Sequence, residues 1–295
     1  MEPRVDWYDL VDDFYPVMGL LDTVLIARDR VGSELHAGVA AAIAAAARGI
    51  KSLDWARQAH VQEEDLQWSA TSVHDSDLLR RAYATSLTAL REARGKLAPT
   101  EAGATLGEFA ASVALERFPQ TLKSIHMLYR MGHRVDGDTV ARAGLEQLAW
   151  ALAASTAASR SDLETVKSTA SITALRQLYP AAGRLYGRLS QSAHMDVAEH
   201  LGLVSTVSGR SEITTREDTL QWGSLVLLNL GDAWLAVWEV TQQAHLSNME
   251  HVTSREGQLL LADDRPFAQR AVAVSRDVQA RLANRTKAHP TDDDY

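Results

Sequence analysis

The chain has 295 residues, a net charge of -8 from 30 Lys and Arg against 38 Asp and Glu, and no cysteine. Disulfides, thiolate metal sites, iron-sulfur clusters and cysteine nucleophiles are thereby excluded, and the overall charge offers no long-range attraction for a phosphate backbone. The longest apolar runs, Val39 to Ala47 and Leu225 to Leu228, are too short to cross a bilayer.

Met1 to Trp7 has neither the positive start nor the apolar stretch of a secretory signal, so the chain reads as cytoplasmic with no membrane partner. Alanine, leucine and arginine dominate, and alternating β-branched or aromatic stretches are scarce. An all-α, multi-helix bundle is therefore expected, more than half helical, with at most a small hairpin in Leu201 to Thr215. It divides into an N-terminal helical region over 1–105, a bundle over 106–285 and a polar tail over 286–295 that reads as disordered.

In chain order, Val17 to Arg48 places Leu20, Leu21, Val24, Leu25, Val31, Leu35, Val39 and Ile43 at helical spacing and predicts one or two helices. Gly49 to Thr71, with Trp55, His60 and Trp68, carries no clear period. Asp75-Ser76-Asp77 can cap a helix from Leu78 to Ala93. Thr105 to Phe118 reads as one helix, and Pro119 starts the next, through Leu122, Ile125 and Tyr129 to Gly132. His133 to Asp138 reads as a turn, with Asp138 capping a helix that carries Val140, Leu145, Leu148 and Leu152.

Ser161 and Glu164 have the spacing of a capping box, and the apolar period continues through Ile172, Leu175 and Leu178 to a break at Tyr179-Pro180. Beyond it Ala182, Leu185, Leu189 and Ala193 form a clean stripe with Tyr186 beside it. Glu217 to Met249 is apolar on more than one face, so it should be the central helix, with Trp234 and Trp238 buried. A last helix follows Pro266.

No GxGxxG, Walker A, HExxH or GxSxG pattern occurs. Asp196 and His200 could share a helical face, but a carboxylate-bridged dimetal site needs repeated Glu-x-x-His, and none is present, so no metal or cofactor is assigned. Trp55, Trp68, Trp222, Trp234 and Trp238 could instead line a small-molecule cleft, or simply fill the core. The richest stretch runs from Arg184 to His194 and holds Arg184, Tyr186, Arg188, Ser190 and His194. Guanidinium suits a phosphate or carboxylate, and imidazole moves protons near neutral pH. On an ideal helix Arg188 and His194 stand roughly 120° apart in azimuth and about 9 Å along the axis, so a shared task needs a helix end or a second subunit. Arg142 and Glu146 have the spacing of an ion pair on one helical turn.

Lys123-Ser124-Ile125, Gly132 and Arg142-Ala143-Gly144-Leu145-Glu146, followed by Tyr186-Gly187-Arg188-Leu189-Ser190-Gln191-Ser192-Ala193-His194, resemble a family of uncharacterised bacterial all-helical proteins. That family is similar to the wider HEPN superfamily of helical bundles, and the resemblance spans roughly residues 110 to 240. It implies a HEPN-like core, a homodimer, and either RNA or a protein as partner. Many HEPN proteins are metal-independent RNases or toxin and phage-defence components whose motif is an arginine followed four to six residues later by a histidine. On that footing Arg188 and His194 would be catalytic, the imidazole exchanging a proton at the ribose 2′-hydroxyl or the leaving oxygen and the guanidinium balancing phosphate charge. Arg142, Glu146, Arg184, Tyr186 and Ser190 would support them. Active members carry a polar residue after the arginine, where this chain has Leu189, and together with the negative net charge that favours a catalytically silent interaction or defence-related protein.

Overall fold

The computed structural model describes residues 14–18, 23–61, 70–97, 104–193, 204–207, 210–213 and 218–288. Among them, ten α-helices hold more than half of the 295 residues, as the composition predicts. They are α1 (Glu34–Arg48), α2 (Leu53–His60), α3 (Ala70–Arg94), α4 (Leu106–Arg130), α5 (Arg134–Ala154), α6 (Arg160–Thr165), α7 (Ser168–Leu178), α8 (Ala181–Ala193), α9 (Thr219–Thr241) and α10 (Pro266–Ala288). No helix of the described residues is long and apolar enough to cross a membrane.

Three antiparallel hairpins accompany the helices: β1 (Phe14–Met18) with β2 (Thr23–Ala27), β3 (Val204–Val207) with β4 (Arg210–Ile213), and β5 (Val252–Arg255) with β6 (Gln258–Leu261). The middle one lies in the expected stretch. The first corrects the expectation of helix from Val17 onward: clustered β-branched residues favour an extended backbone over helix at Thr23 to Ile26, and Val17 and Ile26 turn into a small satellite core with Val31, Val39 and Ile43 of the following segment. The third hairpin was also unforeseen. Arg255 pairs with Gln258, leaving the two-residue loop Glu256-Gly257 with both φ angles positive, 52° and 80°. Such a primed turn matches strand twist.

The main core joins α3, α4, α5, α7, α8, α9 and α10. Helix α3, although it precedes residue 105, packs along α9 within this same core. The expected capping signals are displaced. Asp75 lies inside α3, buried, 3.8 Å from Arg281 of α10. Ser159 and Asp162, not Ser161 and Glu164, form the capping box of α6, with Ser159 N donating to Asp162 at 2.9 Å and Asp162 N donating back to Ser159 at 3.2 Å. Residues 286–288 of the expected tail belong to α10, and 289–295 lie outside the described residues.

Helix α4 passes through Pro119 without a break, where a new helix was expected. Proline supplies no N–H, so the carbonyl four residues earlier, that of Leu115, loses its helical donor. The indole N–H of Trp234 donates to that carbonyl at 3.1 Å. The tertiary bond replaces the missing helical one, and the helix continues.

Trp234 and Trp238 are buried in α9, stacked with ring centroids 4.8 Å apart. That helix ends at Thr241, earlier than the expected Met249, and a short 3-10 turn, Gln243–His245, follows. Replacing Trp234 with alanine opens a cavity and leaves the Leu115 carbonyl unpaired, so Trp234→Ala should cost about 3 to 5 kcal/mol; an unchanged denaturation midpoint would contradict the role given to this indole.

His126 of α4 is buried and stacked flat on Tyr83 at 4.4 Å. Burial first, then the charges of Arg130 and Lys123, lower its pKa from 6.5 to about 3. Between those two values the unfolded chain binds a proton that the folded chain refuses, so stability is full above pH 6.5 and falls as the pH drops, by about 1.4 kcal/mol per pH unit for the single proton. Urea unfolding at a series of pH values should show this slope flattened in His126→Phe.

Candidate functional site

A polar seam runs where α5 meets α8 and α9. Along α5, Arg134, Asp138, Arg142 and Glu146 recur at every fourth position and so share one stripe. Helix α8 runs antiparallel to it: Ser192 meets Asp138, while Tyr186, nearer the start of α8, meets Glu146.

Asp138 is the centre of the seam and only 1% exposed. It is not the helix cap that the turn-like His133 to Asp138 suggested, because α5 already begins at Arg134. One carboxylate oxygen accepts from the Tyr129 hydroxyl at 2.5 Å and the Trp222 indole N–H at 2.6 Å; the other accepts from the Ser192 hydroxyl at 2.6 Å and Arg134 Nε at 3.1 Å. Arg134 also donates to Asp218 at 3.1 Å. Tyr129 is wholly buried, and burial, followed by the neighbouring Asp138 charge, pushes its phenol pKa well up. It therefore acts as a hydrogen-bond donor at any physiological pH.

Glycines on two helices grip the Tyr129 ring. A Cβ at Gly137 would lie 2.7 Å from it and one at Gly223 would lie 2.6 Å from it, so neither position admits a side chain while the ring stays in place. The Arg134 guanidinium lies over the Trp222 ring at 4.8 Å and that of Arg188 at 5.4 Å.

The second part of the seam lies one to two turns further along α5. Arg142 Nε donates to Glu146 at 3.1 Å, Arg142 also donates to the Tyr186 hydroxyl at 3.2 Å, and that hydroxyl donates to Glu146 at 2.9 Å. Burial works against the Arg142 charge, but the bonds to Tyr186 and Glu146 prevail and raise its pKa.

The structure brings Arg142 and Glu146 together, as their i,i+4 spacing suggested, and Tyr186 joins them from α8. Arg184 and Arg188 are on the exposed side of α8, while Leu189 faces the core. The Ser190 hydroxyl oxygen is buried with no hydrogen-bond partner among the described residues. His194 lies outside the described residues, as do Asp196 and His200. Of the tryptophans, Trp234 and Trp238 are core, Trp222 belongs to the seam, Trp55 is 53% exposed on α2, and Trp68 lies outside the described residues.

Sequence reading missed Arg134, Asp138 and Tyr129 as site residues, and placed Trp222 only among tryptophans that could line a cleft or fill the core. The available signal was the four-residue recurrence of charge from Arg134 to Glu146, obscured by the turn-like Asp136-Gly137-Asp138. No group of three or more His, Asp and Glu suited to a metal occurs among the described residues. No protein-family description, curated protein or solved structure matches the chain.

The side chains of Arg142 and Glu146 retain 21% and 19% exposure, between a surface pair and a buried one. Each single alanine substitution should cost about 1 to 3 kcal/mol and the double substitution less than their sum, because the lone survivor is left desolvated. A denaturation cycle giving zero coupling would reduce the pair to surface solvation.

Proposed function

We propose that this chain is a catalytically silent, HEPN-like helical protein that works by binding a partner, of the kind found in defence or toxin-antitoxin settings. The observation that carries the reading is the saturation of Asp138: four donors fill its carboxylate, and those donors come from α4, α5, α8 and α9. A carboxylate so engaged has no remaining reason to exchange protons with a substrate, and its role is to fix the four helices in register. Glu146, Arg142 and Tyr186 are likewise bonded to one another. Leu189 in place of a polar residue after Arg188 supports the same reading.

One observation favours a second reading, a metal-independent endoribonuclease acting as a homodimer. Arg188 is exposed on a helix held in place by the Ser192 to Asp138 bond, and His194 follows it closely in sequence. In that reading Arg188 neutralises developing charge on the phosphate and His194 transfers the proton.

The experiment that separates the two incubates the purified chain with structured and unstructured RNAs in excess chelator, alongside folded Arg188→Ala and His194→Ala variants. We expect no cleavage above the level of the variants. Wild-type cleavage abolished by either substitution would establish the nuclease and overturn the silent reading.

A further inference from the structure

From Thr165 to Met195 the chain contains no Asp or Glu, yet it carries Lys167, Arg176, Arg184 and Arg188. In a protein of net charge -8 this stretch stands apart. The structure explains where its charge goes. Most described arginines are tied to acids: Arg57 to Glu34, Arg81 to Asp277, Arg94 to Glu116, Arg134 to Asp138 and Asp218, Arg265 to Asp232. Arg176, Arg184 and Arg188 are exposed and form no ion pair among the described residues.

Arg184 and Arg188 are one turn apart on α8, separated by roughly 6 Å along the axis. Arg176 comes from α7 and lies across Gly183, where a Cβ would meet its Nε at 2.6 Å, so its side chain runs beside the start of the same row. Arg188 rests on the Trp222 ring, an arrangement that orders a guanidinium without using its N–H groups. Between Arg184 and Arg188 sits Gly187, exposed, with nothing within 4 Å of where a Cβ would stand. A main chain can approach the helix closely there.

We propose that this face of α7 and α8 is a docking surface for an acidic peptide segment of a partner protein, its carboxylates bridged by Arg176, Arg184 and Arg188. The proposal rests on the interaction reading above and names the partner's chemistry. Two observations favour a peptide over a nucleic acid. The aromatic groups nearest the row already hold guanidiniums over their rings, Trp222 those of Arg134 and Arg188 and Tyr186 that of Arg142 at 5.3 Å, which leaves them less open to stack a base. The remainder of the chain is strongly acidic and repels a polyanion longer than the patch, whereas a short run of carboxylates meets only the local cations.

The test is fluorescence anisotropy of the full chain with a fluorescein-labelled hexaglutamate peptide and, separately, an oligouridylate of equal charge, at low salt (about 50 mM) and at about 150 mM. The peptide should bind saturably, weaken with salt, and lose about tenfold or more in affinity in the Arg184→Glu/Arg188→Glu double variant. The Arg48→Glu/Arg276→Glu variant reverses two exposed arginines elsewhere and should bind as wild type does. If charge reversal disturbs the circular dichroism spectrum, Arg184→Gln/Arg188→Gln carries the same expectation. Peptide binding that is absent up to about 1 mM, or indifferent to both double variants, overturns the proposal. So does oligouridylate binding tighter than the peptide and lost in the same variants, which assigns the face to nucleic acid. A chain that neither cleaves RNA nor binds the peptide overturns this docking surface alone and leaves the silent reading intact.

Discussion

The carboxylate of Asp138 is a full negative charge placed where almost no water reaches it, and the surrounding architecture follows from that placement. Removing such a group from water costs several kcal/mol, which only close, well-directed donors offset. Tyr129, Trp222, Ser192 and Arg134 are those donors, and each must be held within about 3 Å. Tyr129 reaches Asp138 because Gly137 and Gly223 leave room for its ring. Trp222 is ordered from above by guanidinium. Had the same four helices been joined by apolar contacts alone, they could slide by a turn at modest loss; with four donors converging on one group, a slip of any one of them strands a buried charge.

The same device appears twice more, with different participants. Glu239 of α9 accepts from the backbone N–H groups of Glu250, His251 and Val252 at 2.8, 2.7 and 3.0 Å and pairs with the His251 ring at 2.8 Å. Burial alone raises a carboxyl pKa, but the His251 ring and the backbone N–H groups of Glu250 and His251 outweigh it and hold Glu239 below its ordinary value. This anchors the start of the β5–β6 hairpin on the central helix. Asp232, about two turns earlier on the same side of α9, takes Arg265 in a two-pronged pair at 2.8 and 2.6 Å just ahead of α10. The two charged groups of α9 thus fall where it must catch a loop, while its contribution to the seam is the neutral Trp222 indole.

Legibility in the sequence follows the same line between period and convergence. Elements whose apolar residues repeat every three or four positions, such as α7, α8 and α9, stand close to where their patterns place them, and burial of Trp234 and Trp238 follows from apolar residues on all sides of α9. The first hairpin was hidden because Val17, Val24 and Leu25 satisfy helical spacing and strand propensity at once, and only packing against α1 decides between them. Continuity through Pro119 was not readable at all, since the group that repairs the helix, the Trp234 indole, is more than a hundred residues away. Arg142, Glu146 and Tyr186 were visible as candidates, whereas Asp138 was mistaken for a cap: a carboxylate after glycine reads locally as a turn, and its four donors are contributed by four helices.

Helix α8 then carries two opposite treatments of charge on its two faces. Inward, Ser192 and Tyr186 hand their hydroxyls to the carboxylates of α5, so the polar groups there are closed upon one another and serve the fold. Outward, Arg184 and Arg188 carry full charges with no acid in the surrounding stretch to neutralise them. The first face steadies the second: with Ser192 tied to Asp138 and Tyr186 to Glu146, α8 is held against rolling, so the backbone positions of Arg184 and Arg188 are set before any anion arrives, and the Arg188 guanidinium is further ordered on the Trp222 ring. Preorganised charge loses less on binding than charge on a mobile segment, because the ordering has already taken place during folding. A helix fastened by buried carboxylates on one side and left cationic on the other is thus suited to receive negative charge from outside, because no acid of its own stretch, Thr165 to Met195, stands ready to quench it.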